Sequence, residues 1–196
     1  MKKEKIFLIL GGANGVGKTT FSREILDEYE YSKFLNADEI AKEINPENIS
    51  AVKISAGKQL FYNLQELLLK KENIILETTL SGKFLVDIIK KAKKSGYKIY
   101  IFYTFADSPE ICIERIKNRV KKGGHFIPDE DVRRRFYRSI KNFWSIYKHL
   151  ADIWALYYNM AQSIIVAKSS EQQIEILIDA EYNKFLRMAE NDFKSK

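Results

Sequence analysis

Gly12-Ala13-Asn14-Gly15-Val16-Gly17-Lys18-Thr19 sets a lysine and a hydroxyl directly behind a glycine-rich loop, the spacing G-x-x-x-x-G-K-[ST]. That arrangement suits a chain of phosphates. Glycines let backbone N–H groups turn inward onto anionic oxygens, and the start of a helix adds its positive end. Lys18 is expected to bridge the β- and γ-phosphates, and the Thr19 hydroxyl to ligate Mg2+, with Thr20 completing the ATP-binding run. Four fixed positions would arise by chance in a chain this long on the order of once in a hundred. An apolar run at 6–10 feeds the loop, and a helical pattern carrying Phe21, Ile25 and Leu26 leaves it, the strand–loop–helix setting such a cradle needs.

Phosphoryl transfer then asks for a base and for positive charge on the transferred group. Asp38 stands just past a second apolar run, at a strand's carboxyl end, where open α/β sheets bind ligands. It reads equally as a general base for an acceptor hydroxyl or as the cap of a helix over 39–44. Glu77 closes a third run, Ile74-Ile75-Leu76, and reads either as a second magnesium contact or as a partner of substrate hydroxyls beside Thr78 and Thr79. Six of the eight arginines (Arg115, Arg119, Arg133, Arg134, Arg135, Arg138) fall within 24 residues. They flank Lys121-Lys122-Gly123-Gly124-His125-Phe126-Ile127-Pro128, as in a lid that closes on ATP and excludes water. Arg115 and Arg119 share one helix face; Arg134 and Arg138 share another, opposite an apolar stripe. His125 is read as a phosphate donor or a water-facing ring, Cys112 as a small core residue, and Tyr157-Tyr158-Asn159 as core, rim or base contact.

The elements that must hold these groups alternate in type. Runs at 6–10, 34–35, 74–76 and 98–105 read as strands, mostly continuous in hydrophobicity as in a sheet buried on both faces. Helical periods fill 18–30, 51–71 and 83–95. Another helix opens at Asp107-Ser108-Pro109-Glu110 and ends near Lys122, and one more opens at Pro128-Asp129-Glu130. Stretches 154–158 and 163–167 read as late strands, and everything from Ser170 onward as a terminal helix with Ile174, Leu177, Ile178 and Tyr182 on one face. The pattern predicts an α/β fold, a mainly parallel sheet flanked by helices, of P-loop kinase type with a helical lid at about 115–138. One domain over 1–196 is expected.

Composition narrows the partners. The chain has 196 residues, 45% hydrophobic and 30% charged, with 33 Lys+Arg against 26 Asp+Glu and a formal charge of +7. That excess favours polyanionic ligands. No apolar run is long enough to span a bilayer, and one cysteine fits a reducing compartment, so a cytoplasmic protein without membrane association is expected. The Asn-Lys-x-Asp element of GTP-specific switches is absent. A small-molecule kinase fits best. A nucleic-acid end kinase or RNA-binding ATPase is less favoured, and a regulatory ATP-binding module is a third reading.

Taken together, the phosphate loop from Gly11 to Thr20, Asn36-Ala37-Asp38-Glu39-Ile40-Ala41, Glu77-Thr78-Thr79-Leu80-Ser81-Gly82, the Gly123-Gly124-His125-Phe126-Ile127-Pro128 lid with Arg119-Val120, and Arg133-Arg134-Arg135-Phe136 with Arg138-Ser139 resemble the zeta-toxin family of P-loop kinases. The stretch from Leu150 to Asn159 resembles it too, so the likeness spans about residues 6–160. The resemblance implies ATP- and Mg2+-dependent phosphorylation of a hydroxyl; in the toxin members this is the 3′-hydroxyl of UDP-N-acetylglucosamine, and an antitoxin is the implied protein partner. It implies Asp38 as general base, Glu77, with Thr78 and Asn36, on the acceptor, and Arg115 or Arg119 on the triphosphate, with Arg134 among the transfer arginines. The chain departs from the toxin members in being shorter and in carrying His125 where they have a second transfer arginine, a charge that one of Arg133, Arg134 or Arg135 is placed to supply.

Overall fold

The computed structural model of the protein describes residues 4–19, 22, 32–160, 162–170 and 173–190. Seven strands, β1 (Lys5–Gly11), β2 (Lys33–Asn36), β3 (Ile74–Thr78), β4 (Tyr97–Phe105), β5 (Ile153–Asn159), β6 (Ser163–Ser170) and β7 (Gln173–Ile176), form one sheet in the order β2-β3-β1-β4-β5-β6-β7. β2 through β5 in that order run parallel, whereas β6 and β7 are antiparallel additions at one edge. Phe7, Leu8, Ile9 and Leu10 are all buried, which is why the central strand is continuously apolar rather than alternating. Phe7 and Ile9 enter the large core, while Leu8 and Leu10 join Ile75 in a smaller one.

Helices that lie wholly within the described residues are α1 (Ala37–Ile44), α2 (Lys53–Leu69), α3 (Leu85–Lys94), α4 (Pro109–Lys121), α5 (Asp129–Ser145) and α6 (Asp179–Glu190), with 3-10 turns at Ile49–Val52 and Tyr147–His149. Pro109 at the first turn of α4 and three acids in the first turn of α5 fit those ends to the helix dipole. Of the helix expected over 18–30, Lys18, Thr19 and Ser22 are helical and the remainder lies outside the described residues. One expectation is corrected: the chain after Ser170 is not helix throughout. Gln173-Ile174-Glu175-Ile176 alternates with a period of two and pairs with β6 from Ser170↔Gln173 to Ala167↔Ile176, so Ile174 sits on a strand and the helix starts only at Asp179.

Parallel register brings the carboxyl ends of the strands together. Glu77 is paired with Leu10 on one side and Asn36 on the other, and Gly11 with Tyr103. An aromatic layer locks α5 and α6 onto this end of the sheet. Tyr103 and Phe143 stack 4.3 Å apart, and Phe185 meets the rings of Phe105, Tyr103 and Phe143 edge-on at 5.1–6.0 Å.

Candidate active site

The turn after β1 is pinned from two sides, by Cys112 and by Asn159. Gly15 (φ +78°) and Gly17 (φ +102°) both lie where L side chains are strained, and a Cβ on either would overlap the Cys112 carbonyl or the Asn159 amide. Asn159 Nδ2 also donates to the Val16 carbonyl at 2.7 Å. Inside the turn, Lys18 is buried and its ammonium donates to the Ala13 carbonyl at 3.0 Å. Burial pulls the Lys18 pKa below the ordinary lysine value, while the carboxylates of Glu77 and Asp38 oppose that pull. A cationic head held in a tight backbone loop is a cradle that suits phosphate oxygens.

Two carboxylates face this cradle. Glu77 accepts from the Thr19 hydroxyl at 3.2 Å and from Ser22 at 3.3 Å, and Ser22 also bonds the Thr19 carbonyl at 3.0 Å. Sequence reasoning passed over Ser22, whose signal was its place one helical turn after Thr19. Asp38 is the other carboxylate. The cap of α1 is made by Asn36, whose side chain accepts from the Asp38 N–H at 2.7 Å, so the Asp38 carboxylate is not spent on capping. Both acids, with Lys18, Asn36 and Thr78, line a cavity of about 580 Å³. Its far wall is apolar: Ile54, Leu60, Phe61 and Phe84. The donor set fits a magnesium nucleotide, with a cradle for phosphates and a hydroxyl and a carboxylate, Thr19 and Glu77, in contact beside it.

The arginines divide by role. Arg135 reaches the cradle, donating to Asn14 Oδ1 at 3.3 Å and lining the cavity. Arg134, one of the three expected to supply the transfer charge, is not brought there: it pairs with Asp131 on the exposed side of α5, and Arg133 pairs with Glu110. Arg115, which with Arg119 was expected as an alternative on the triphosphate, donates to the backbone carbonyls of Val16 (3.2 Å), Asn159 (3.1 Å) and Met160 (2.6 Å). It braces the phosphate loop from behind. Arg119 holds the lid segment through the His125 carbonyl at 3.1 Å. The ring of His125 is tucked in so that Nε2 is buried and unpartnered among the described residues. Burial depresses its pKa below the usual imidazole value; the Asp38 charge opposes this, and Arg119, Lys53 and Lys42 reinforce it. Thr20 lies outside the described residues.

The family model for zeta toxin matches residues 1–172. A Haemophilus influenzae protein described as uncharacterized is 33% identical over 136 residues, covering 69% of this chain and 94% of its own. Among solved structures, one from the PezAT chromosomal toxin–antitoxin system of Streptococcus pneumoniae superposes with a TM-score of 0.70 at 19% identity, covering 88% of this chain and 75% of that one. AvrRxo1-ORF1:-ORF2 solved with ATP gives 0.71 at 14% identity over 94% of this chain and 64% of that one. At such identities the superpositions speak for a shared P-loop kinase fold, and the family match rests on the sequence itself. With the family model matched over residues 1–172, most of its length, the chain belongs to the zeta-toxin family.

Proposed function

We propose that this protein is an ATP-dependent phosphotransferase that moves the γ-phosphoryl group to a hydroxyl of a small molecule, with UDP-N-acetylglucosamine or a related nucleotide sugar as acceptor. The observation that carries the reading is the convergence of Lys18, Asp38 and Glu77 on one cavity at the carboxyl ends of β1, β2 and β3. Asp38, left free by the Asn36 cap, takes the proton of the acceptor hydroxyl. That oxygen forms its bond to the γ-phosphorus as the bond to the β-phosphate oxygen of ADP breaks. Lys18 exchanges the Ala13 carbonyl for phosphate oxygens, and Arg135 adds positive charge from α5. Thr19 and Glu77 are the residues that would hold magnesium, which would supply charge neutralisation when bound. The toxin–antitoxin origin of the PezAT neighbour supports an antitoxin as protein partner.

The test is incubation with γ-labelled ATP, magnesium and a panel of nucleotide sugars, with a 5′-hydroxyl RNA oligonucleotide as the competing acceptor. Labelled nucleotide sugar is expected. Asp38→Asn should lower transfer by about a hundredfold or more while ATP affinity stays within about twofold. Wild-type turnover in Asp38→Asn would remove Asp38 as the base, and label on RNA alone would replace the acceptor.

A further inference from the structure

Leu80 adopts φ +53°, a left-handed conformation that is uncommon for a branched, bulky side chain. It sits in the loop that carries Thr78 and Thr79 past the cavity, and its own side chain is buried where a Cβ on Gly11 would otherwise stand. Strain of this kind persists only where the surroundings over-determine it. Here they do so through carbonyl groups. Ser139 donates to the Thr79 carbonyl, Asn142 Nδ2 to the Leu80 carbonyl at 3.0 Å, and the Tyr147 hydroxyl to the Gly82 carbonyl at 2.6 Å. Since a carbonyl can only accept, the Ser139 proton is committed to Thr79, and the Tyr103 hydroxyl must donate to Ser139 across 2.8 Å. Burial raises the pKa of both tyrosines, Tyr147 up to about 12, which keeps them protonated as donors.

These groups are not scattered. Arg135, Ser139 and Asn142 occupy positions i, i+4 and i+7 of α5, one face of the helix. The same stripe therefore touches Asn14 of the phosphate loop at one end and the loop 78–82 at the other.

We infer that Ser139, Asn142 and Tyr147 are positioning residues that hold the 78–82 loop in its left-handed turn, so that Thr78 and Thr79 meet the acceptor in fixed geometry while ATP binding is left to the cradle. The inference rests on the acceptor side of the cavity being as proposed above. A rack of this design acts on acceptor recognition through three side chains that lie outside the lining of the cavity.

The test uses the near-isosteric double variant Asn142→Leu/Tyr147→Phe in the full chain. With UDP-N-acetylglucosamine as probe, its KM should rise about tenfold, with kcat and ATP affinity within about twofold of wild type. Amide hydrogen exchange across 79–82 should speed up by about the same factor while β1 and β4 stay protected. Asn142→Gln, which keeps the donor amide, should recover most of the lost acceptor affinity. An unchanged KM, unchanged exchange in the loop, or ATP affinity falling in step with the KM would overturn the inference. If wild type leaves UDP-N-acetylglucosamine unphosphorylated, the acceptor identity fails, and loop exchange alone then decides the positioning claim.

Discussion

Three consecutive arginines on α5 part ways: Arg133 pairs with Glu110, Arg134 with Asp131, and Arg135, which also lies 3.6 Å from Asp131, is the one of the three that reaches the phosphate loop. Successive helical side chains point about 100° apart, so a single residue separates an exposed ion pair from a cavity-lining charge. Arg135→Ala should therefore lower kcat for transfer by about tenfold or more, whereas Arg134→Ala should change it by less than about twofold; steady-state kinetics of the two variants side by side measure this. The same rotation explains why sequence could name the cluster but not the member. Asp38 posed an ambiguity of another kind, base or helix cap. Asn36 and Asp38 can each accept from an N–H at a helix start, and only the backbone at 36, extended at φ −143°, assigns the cap to Asn36. The phosphate loop was legible because its chemistry is local: glycines, lysine and threonine act within eight residues of one another.

At the level of elements, the cradle depends on what packs behind it. Arg115 on α4 gathers the Val16 carbonyl from the loop and two carbonyls from the end of β5 and the residue after it. Helix, loop and strand are joined by one side chain. Arg115→Ala should weaken ATP binding by about tenfold, read by calorimetric titration, because hydrogen bonds from a charged donor are stronger than neutral ones. The Asn159 contact to Val16 remains in that variant, so some affinity should survive. Strand and helix alternation up to β5 was readable from apolar runs long enough to show their period. β7 was not, since four residues of alternating Gln, Ile, Glu and Ile sit just before a true helix and blend into its pattern. The acceptor-loop rack was also hidden, because its donors and carbonyls lie about 60 residues apart in the chain and meet only when α5 lies across the sheet.

Across the whole molecule, α6 closes the aromatic layer and is tied to the sheet by a small polar knot. Lys184 pairs with Asp107 at 2.7 Å, and Tyr158 donates to the same carboxylate at 2.7 Å. Burial alone would raise the Asp107 pKa; the hydrogen bonds from Lys184 and Tyr158 outweigh it and hold the carboxyl below its usual value. A depressed carboxylate stabilises the fold above its unfolded pKa and loses that contribution as pH falls through the folded value. Thermal unfolding from pH 7 down to about 3 should show this loss in wild type and a flatter profile in Lys184→Met, with equal slopes counting against the knot. Asp107 follows the carboxyl end of β4, the same end of the sheet at which the cavity beside Asn36 and Glu77 lies.

Cys112 lies wholly inside, its carbonyl against Gly15 and its thiol pushed up to about 11 by burial, an effect that Arg115 and Lys18 only partly offset. Since thiolate is the reactive form, the native chain should be nearly inert to alkylating reagents at neutral pH. Opening of the core around α4 would unmask that sulfur. The protein thus carries an internal clock for its own breathing: the labelling rate of this thiol reports how often the core beside the Gly12–Thr19 loop opens, and added ATP should slow it.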